Sequence, residues 1–119
     1  MANNIIITGA NQGIGYYMAE KLLAEGNKVS VLDIETDNLA NLQMKYDSLI
    51  FYQVDLRNYD EVKRAVDETV AVFDTIDIAV HNACKCTFES EKETDLDTYN
   101  DVFDVNYFGA LRLVKSVIP

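Results

Sequence analysis

Tryptophan is absent from this chain, histidine occurs once, cysteine twice, and the one proline is the last residue. Each scarcity excludes something. Cys84 and Cys86 stand one residue apart, too close for an ordinary disulfide framework and too few for a structural zinc, so reduced thiols and no metal site are expected. Basic residues are also few. Ten Lys and Arg against 20 Asp and Glu leave a net charge of −10, which repels nucleic acid and anionic membrane. No apolar run approaches the ~18 residues of a membrane-spanning helix. Only a few residues precede the first strand-like run, which leaves no room for a signal peptide. The expectation is a cytoplasmic protein with no nucleic-acid or membrane partner.

What is present is a core. Hydrophobic residues make up 49% of the chain, too many for a disordered one. Strand-like runs occur at Asn4 to Thr8, Lys28 to Asp33, Leu49 to Val54 and Ile76 to His81, each apolar and β-branched enough to suit burial on both faces. Helical patterns alternate with them. Ile14, Met18, Ala19, Leu22 and Leu23 mark one face of the first, and Gly26 ends it. A weaker one runs from about Thr36 to Tyr46. Asn58 with Glu61 caps the third, whose stripe is Val62, Ala65, Val66, Val70 and Phe73. Thr94 with Asp97 opens the fourth in the same way, and its stripe continues through Tyr99, Val102, Phe103, Asn106, Ala110, Leu113, Val114 and Val117. Alternation at this spacing demands right-handed crossovers and a parallel sheet, an α/β fold. No linker, repeat or low-complexity stretch divides the chain, so residues 1–119 are expected to form one domain.

The most informative segment is the first strand with the turn that follows. The run Ile5-Ile6-Ile7-Thr8 stops at Gly9, and a helical pattern starts after Gly13-Ile14-Gly15. Gly9 permits a sharp turn, Gly13 lets the backbone approach a pyrophosphate, and Gly15 lets helix and strand pack closely. Gly9, Asn11, Gln12, Gly13, Ile14 and Gly15 are therefore candidate dinucleotide contacts. Asp33 closes the second strand 18 residues after Gly15, where a carboxylate accepts ribose hydroxyls and repels a 2′-phosphate. Neither Gln12 nor Ile34 supplies a cation for such a phosphate. NAD is expected over NADP.

Thr8-Gly9-x-x-x-Gly13-Ile14-Gly15, Asp33, Asp55-Leu56, Asn82-Ala83 and Asn106-x-x-Gly109 together resemble the short-chain dehydrogenase/reductase family. The resemblance covers the whole chain and the N-terminal half of the family's domain. It implies a Rossmann-like sheet in the order 3-2-1-4, cut short of the family's fifth strand. It places Asp55 and Leu56 at the adenine edge, Asn82 and Ala83 beside the nicotinamide-side ribose, and Asn106 at a helix distortion that holds the water of a proton relay. His81 and Cys84 depart from the family's usual Asn-Asn-Ala-Gly. Read from the residues alone, Asn106 is a polar side chain on an apolar stripe. Without partners it would cost about 1–3 kcal/mol.

The resemblance further implies hydride transfer between nicotinamide and a carbonyl or alcohol, with the family's Ser, Tyr and Lys expected beyond Pro119. Two internal Tyr-x-x-x-Lys matches, Tyr17 with Lys21 and Tyr59 with Lys63, read as decoys on the wrong helices. A dinucleotide-binding half, inactive on its own, is the leading expectation. A non-catalytic nucleotide-binding or assembly module is the alternative, and a receiver-like signalling domain a remote one. The uncovered edge of the fourth strand and the apolar last helix lead to an expectation of homo-oligomers.

Overall fold

The apolar runs become strands and the amphipathic runs become helices in the computed structural model, which describes residues 2–119. The order is β1 (Asn4–Thr8), α1 (Gly13–Ala24), β2 (Lys28–Asp33), α2 (Asp37–Gln43), β3 (Leu49–Gln53), α3 (Tyr59–Phe73), β4 (Ile78–His81) and α4 (Leu96–Phe103). A π-helical turn (Asp104–Phe108) then leads into α5 (Gly109–Val117). The sheet is parallel in the order β3-β2-β1-β4, the Rossmann-like arrangement expected. A receiver-like fold carries the order 2-1-3-4-5 and is excluded.

Period-two alternation along β1 sorts its isoleucines to opposite faces. Ile5 and Ile7 pack with Val29, Val31, Ala19, Leu23, Leu39 and Leu42 on one side. Ile6 and Leu32 pack with Val62, Ala65, Val66 and Leu113 on the other. Ile6 and Ile7 are fully buried, each contributing about 1.5–3 kcal/mol of burial.

The structure corrects several sequence expectations. Only β1 and β2 are buried on both faces. β4, one edge of the sheet with β3 the other, begins at Ile78, not Ile76, with Ile78 itself 42% exposed. Ile14 does not belong to the buried face of α1. It is 79% exposed, because the helix directs its first turn toward the cleft described below, and Gly15, Ala19 and Leu23 face the sheet instead. In α3, Thr69 is buried where Val70 was expected, since its hydroxyl pairs with Ser30 Oγ at 2.7 Å and bonds the Ala65 carbonyl. Asn58 does cap α3, accepting from the Glu61 N–H, but the Glu61 carboxylate reaches the Asp55 N–H and not back to the cap.

The last helical run is also different. Asp95, not Thr94, caps α4 by accepting from the Thr98 N–H at 2.8 Å, while Thr94 bonds the Ser90 carbonyl. The run is broken by the π turn, which advances the helix face. Beyond it Val114 is consequently exposed and Gly109, Leu113 and Ser116 point inward, while Phe103, ahead of the turn, is exposed as well.

Candidate functional site

The carboxyl ends of four parallel strands converge on a cleft of about 600 Å³, where an open α/β sheet places ligands. Its floor is built by one hydroxyl. Thr8 Oγ1, fully buried at the end of β1, accepts the Asn82 and Ala83 N–H groups at 3.1 Å each, drawing the end of β4 against β1. Asn82 Nδ2 donates to the Gly9 carbonyl at 2.8 Å. Gly9 has φ +74°, and an added Cβ would lie 2.5 Å from Ala83 Cα. Gly9 thus serves the turn and a close approach between two backbones.

The start of α1 opens into the cleft. Its N-cap, Gln12, makes no side-chain cap hydrogen bond, and no acidic residue occupies the first turn. The N–H groups of that turn and the helix dipole are therefore available to an anion. Gly13, at φ +64°, has nothing within 4 Å of where a Cβ would stand. Gly15 does not line the cleft. It sits beneath, where a Cβ would clash with Asn82 Nδ2 and the Gly9 carbonyl at 2.5 Å.

Asn11 lines the cleft and is also a buried clamp. Its Oδ1 accepts the Asn38 and Leu39 N–H groups at the start of α2, and its Nδ2 donates to Asp37. That hydrogen bond holds the Asp37 carboxyl below the usual carboxylate range. The Asn11 N–H donates to Asp33 Oδ2 at 2.9 Å, and the Glu35 N–H donates to Asp33 Oδ1 at 3.0 Å. Asp33 is thereby fixed at the rim with acceptor capacity left on both oxygens, beside Ile34, which lines the same wall.

Asp55 and Leu56 follow β3, the strand paired with β2, and line the same cleft. Asp55 is gripped by Arg57, whose Nη2 donates at 2.9 Å, and this lowers its pKa while raising that of Arg57. Asp101 of α4 bonds both Arg57 and Lys85, at 3.2 and 3.3 Å, which lowers its own pKa. Arg57 and Lys85 line the cleft, and sequence reading missed both. The available signal was a cation four residues past the end of β3 and another four past the end of β4.

Asn106 lies in the π turn and does not line the cleft, although its neighbour Val105 does. Its amide finds the partners that its place on the stripe required. Oδ1 accepts the Lys85 N–H and Nδ2 donates to the Lys85 carbonyl. Eleven candidate residues, Gly9, Asn11 to Ile14, Asp33, Ile34, Asp55, Leu56, Asn82 and Ala83, thus meet around one cavity. The two Tyr-x-x-x-Lys pairs do not. Tyr17 and Lys21 flank a separate shallow groove, and Lys63 pairs with Asp67 on α3. Cys84 and Cys86 are free and exposed, and among the described residues no cluster suits a metal. No described helix is long and apolar enough to cross a membrane.

Residues 3–119 match the family model described as short chain dehydrogenase. A cis-2,3-dihydrobiphenyl-2,3-diol dehydrogenase from Paraburkholderia xenovorans is 31% identical over 97% of this chain and 44% of its own length. A short-chain dehydrogenase from Streptomyces avermitilis superposes with a TM-score of 0.91 at 26% identity, covering 98% of this chain and 43% of that one. A carveol dehydrogenase from Mycobacterium avium, solved in complex with NAD, superposes with a TM-score of 0.88 at 28% identity, covering 98% and 48%. The chain spans about half the length of the curated relatives it matches.

Proposed function

The chain belongs to the short-chain dehydrogenase family, and from that premise we propose that it is the dinucleotide-binding half of an NAD-dependent oxidoreductase acting on a carbonyl or alcohol. The observation that carries this reading is the pairing of an uncapped α1 N-terminus, open at Gly13, with the Asp33 carboxylate at the same rim. One end suits a pyrophosphate and the other a ribose bearing free hydroxyls. When bound, the dinucleotide supplies the hydride acceptor or donor.

The chain's own residues then have distinct tasks. The first-turn N–H groups of α1 neutralise phosphate charge, and Asp33 accepts ribose hydroxyls and repels a 2′-phosphate. Asp55 and Leu56 border the adenine. Asn82 and Ala83, held by Thr8, border the second ribose. Asn106 keeps the Lys85 backbone in place with its side chain, and the π turn around it is where a proton-relay water would be held. The carveol dehydrogenase bound to NAD supports the choice of cofactor.

Among the described residues no tyrosine lines the cleft, and turnover by these 119 residues alone is not part of the proposal. The exposed residues Phe103, Tyr107, Leu111, Val114 and Ile118 follow one another at helical spacing along the last run, near the open edge of β4. Self-association through that surface, in a cytoplasmic setting, belongs to the same proposal.

Calorimetric titration with NADH and then NADPH tests the reading. Saturable binding that favours NADH supports it. A folded protein that binds neither would overturn it in favour of a module with no cofactor.

A further inference from the structure

The chain's one histidine is placed in a way that the proposed cofactor role does not use. His81 ends β4, opposite Thr8 in the parallel register. Its Nδ1 lies 2.9 Å from Thr8 Oγ1. The direction of that bond follows from counting. A hydroxyl has one proton and two lone pairs, and the Asn82 and Ala83 N–H groups both donate to Thr8 Oγ1. The hydroxyl proton must therefore go to His81 Nδ1, which is the acceptor, and the ring carries its proton on Nε2.

The other side of the ring is closed. Nε2 is buried and makes no hydrogen bond among the described residues. The π turn presents the Asn106 backbone to the ring, and α5 presents Gly109, where even a Cβ would come within 3.7 Å of Cε1. β1 has no titratable residue. On the helical run, Asp104 and Arg112 pair with each other, and in the loop Lys85 pairs with Asp101. Burial lowers the His81 pKa, the Asn106 backbone offsets this in part, and among the described residues no charged group adds to either effect.

We infer that His81 is a positioning residue through which protonation controls the dinucleotide cleft, its neutral ring holding the Thr8 hydroxyl in the one orientation that secures both Asn82 and Ala83. A proton arriving at Nδ1 would meet the hydroxyl proton already directed there. The hydroxyl would have to turn and face three donors with two lone pairs. One of the Asn82 and Ala83 bonds would then open, loosening the loop that also holds the Gly9 carbonyl through Asn82. The effect on cofactor rests on the function proposed above. The effect on the loop does not.

A single histidine makes the test unambiguous. Nitrogen NMR of the intact chain is expected to show the Nε2–H tautomer near neutral pH. On acidification the Asn82 and Ala83 amide signals are expected to move with the same midpoint as the imidazole. NADH affinity is expected to weaken roughly fivefold across that window, about the worth of one hydrogen bond, and His81→Asn should abolish the step. An Nδ1–H tautomer would overturn the inference. So would a titrating ring with unmoved amides, or equal pH dependence in wild type and His81→Asn. The tautomer and amide measurements use only the wild type, so they decide the matter even if the variant fails to fold. NADH that binds at no pH would overturn the cofactor reading and leave the coupling to be decided by the amides.

Discussion

Asn106 and Lys85 are joined in both directions: the Asn106 side chain accepts from the Lys85 N–H and donates to the Lys85 carbonyl, each at 2.7 Å. An amide side chain thereby acts as the missing strand neighbour for a loop that continues β4. Asn106→Ala removes both bonds and is expected to lower stability by about 1–3 kcal/mol. Urea unfolding measures the loss, and hydrogen exchange at the Lys85 amide should accelerate beyond it. An unchanged Lys85 exchange rate would count against this pairing in solution.

Asp33 is expected to set cofactor choice. Asp33→Ala should weaken NADH by roughly tenfold or more and shrink the gap to NADPH, because a hydrogen-bond acceptor and a repulsive charge vanish together. Asp33→Asn separates the two, keeping one acceptor oxygen while removing the charge. Calorimetry with both dinucleotides reads the difference, and equal affinities in wild type would refute the assignment.

Gly9 and Gly13 should respond differently to alanine. At Gly9 the methyl meets the Ala83 backbone at 2.5 Å in a left-handed conformation, so a loss above about 3 kcal/mol is expected from strain and overpacking combined. At Gly13 only the conformational strain applies, about 1–2 kcal/mol. The methyl of Gly13→Ala would stand in the cleft, and NADH affinity should fall more than stability. Thermal unfolding with calorimetry distinguishes the two positions.

Acid should destabilise the fold in two stages. His81 has a folded pKa below its ordinary value of 6.5, so the unfolded chain takes up its proton first. Its contribution is complete above 6.5 and is lost as pH falls toward the folded value. Asp55, held low by Arg57, follows the same sign in a lower window, below the ordinary carboxylate value, and Asp101, held low by Lys85 and Arg57, joins it. Urea midpoints across pH should show the upper step vanish in His81→Asn while the lower one persists.

Self-association is expected to depend on the apolar surface of the last helical run. Leu111→Lys should reduce the mass seen by light scattering without lowering the unfolding temperature appreciably, since Leu111 is 41% exposed. A wild type that stays monomeric at high concentration would remove this part of the proposal.

The sequence by itself determined the sheet, because β-branched runs alternating with amphipathic ones leave a parallel crossover fold as the economical way to bury both. Its glycines and strand-end carboxylates also marked the cleft, since glycine spacing and strand ends are local properties. Tertiary structure alone decided what lies off that local code. Ile14 turned outward and Thr69 inward because exposure depends on which neighbour each helix face meets. The π turn moved Val114 to the surface because a one-residue bulge shifts every later position. The proton on His81 followed from three donors and acceptors that meet at Thr8 from strands 73 residues apart. Distance along the chain hides such meetings, and only the packed sheet brings them together.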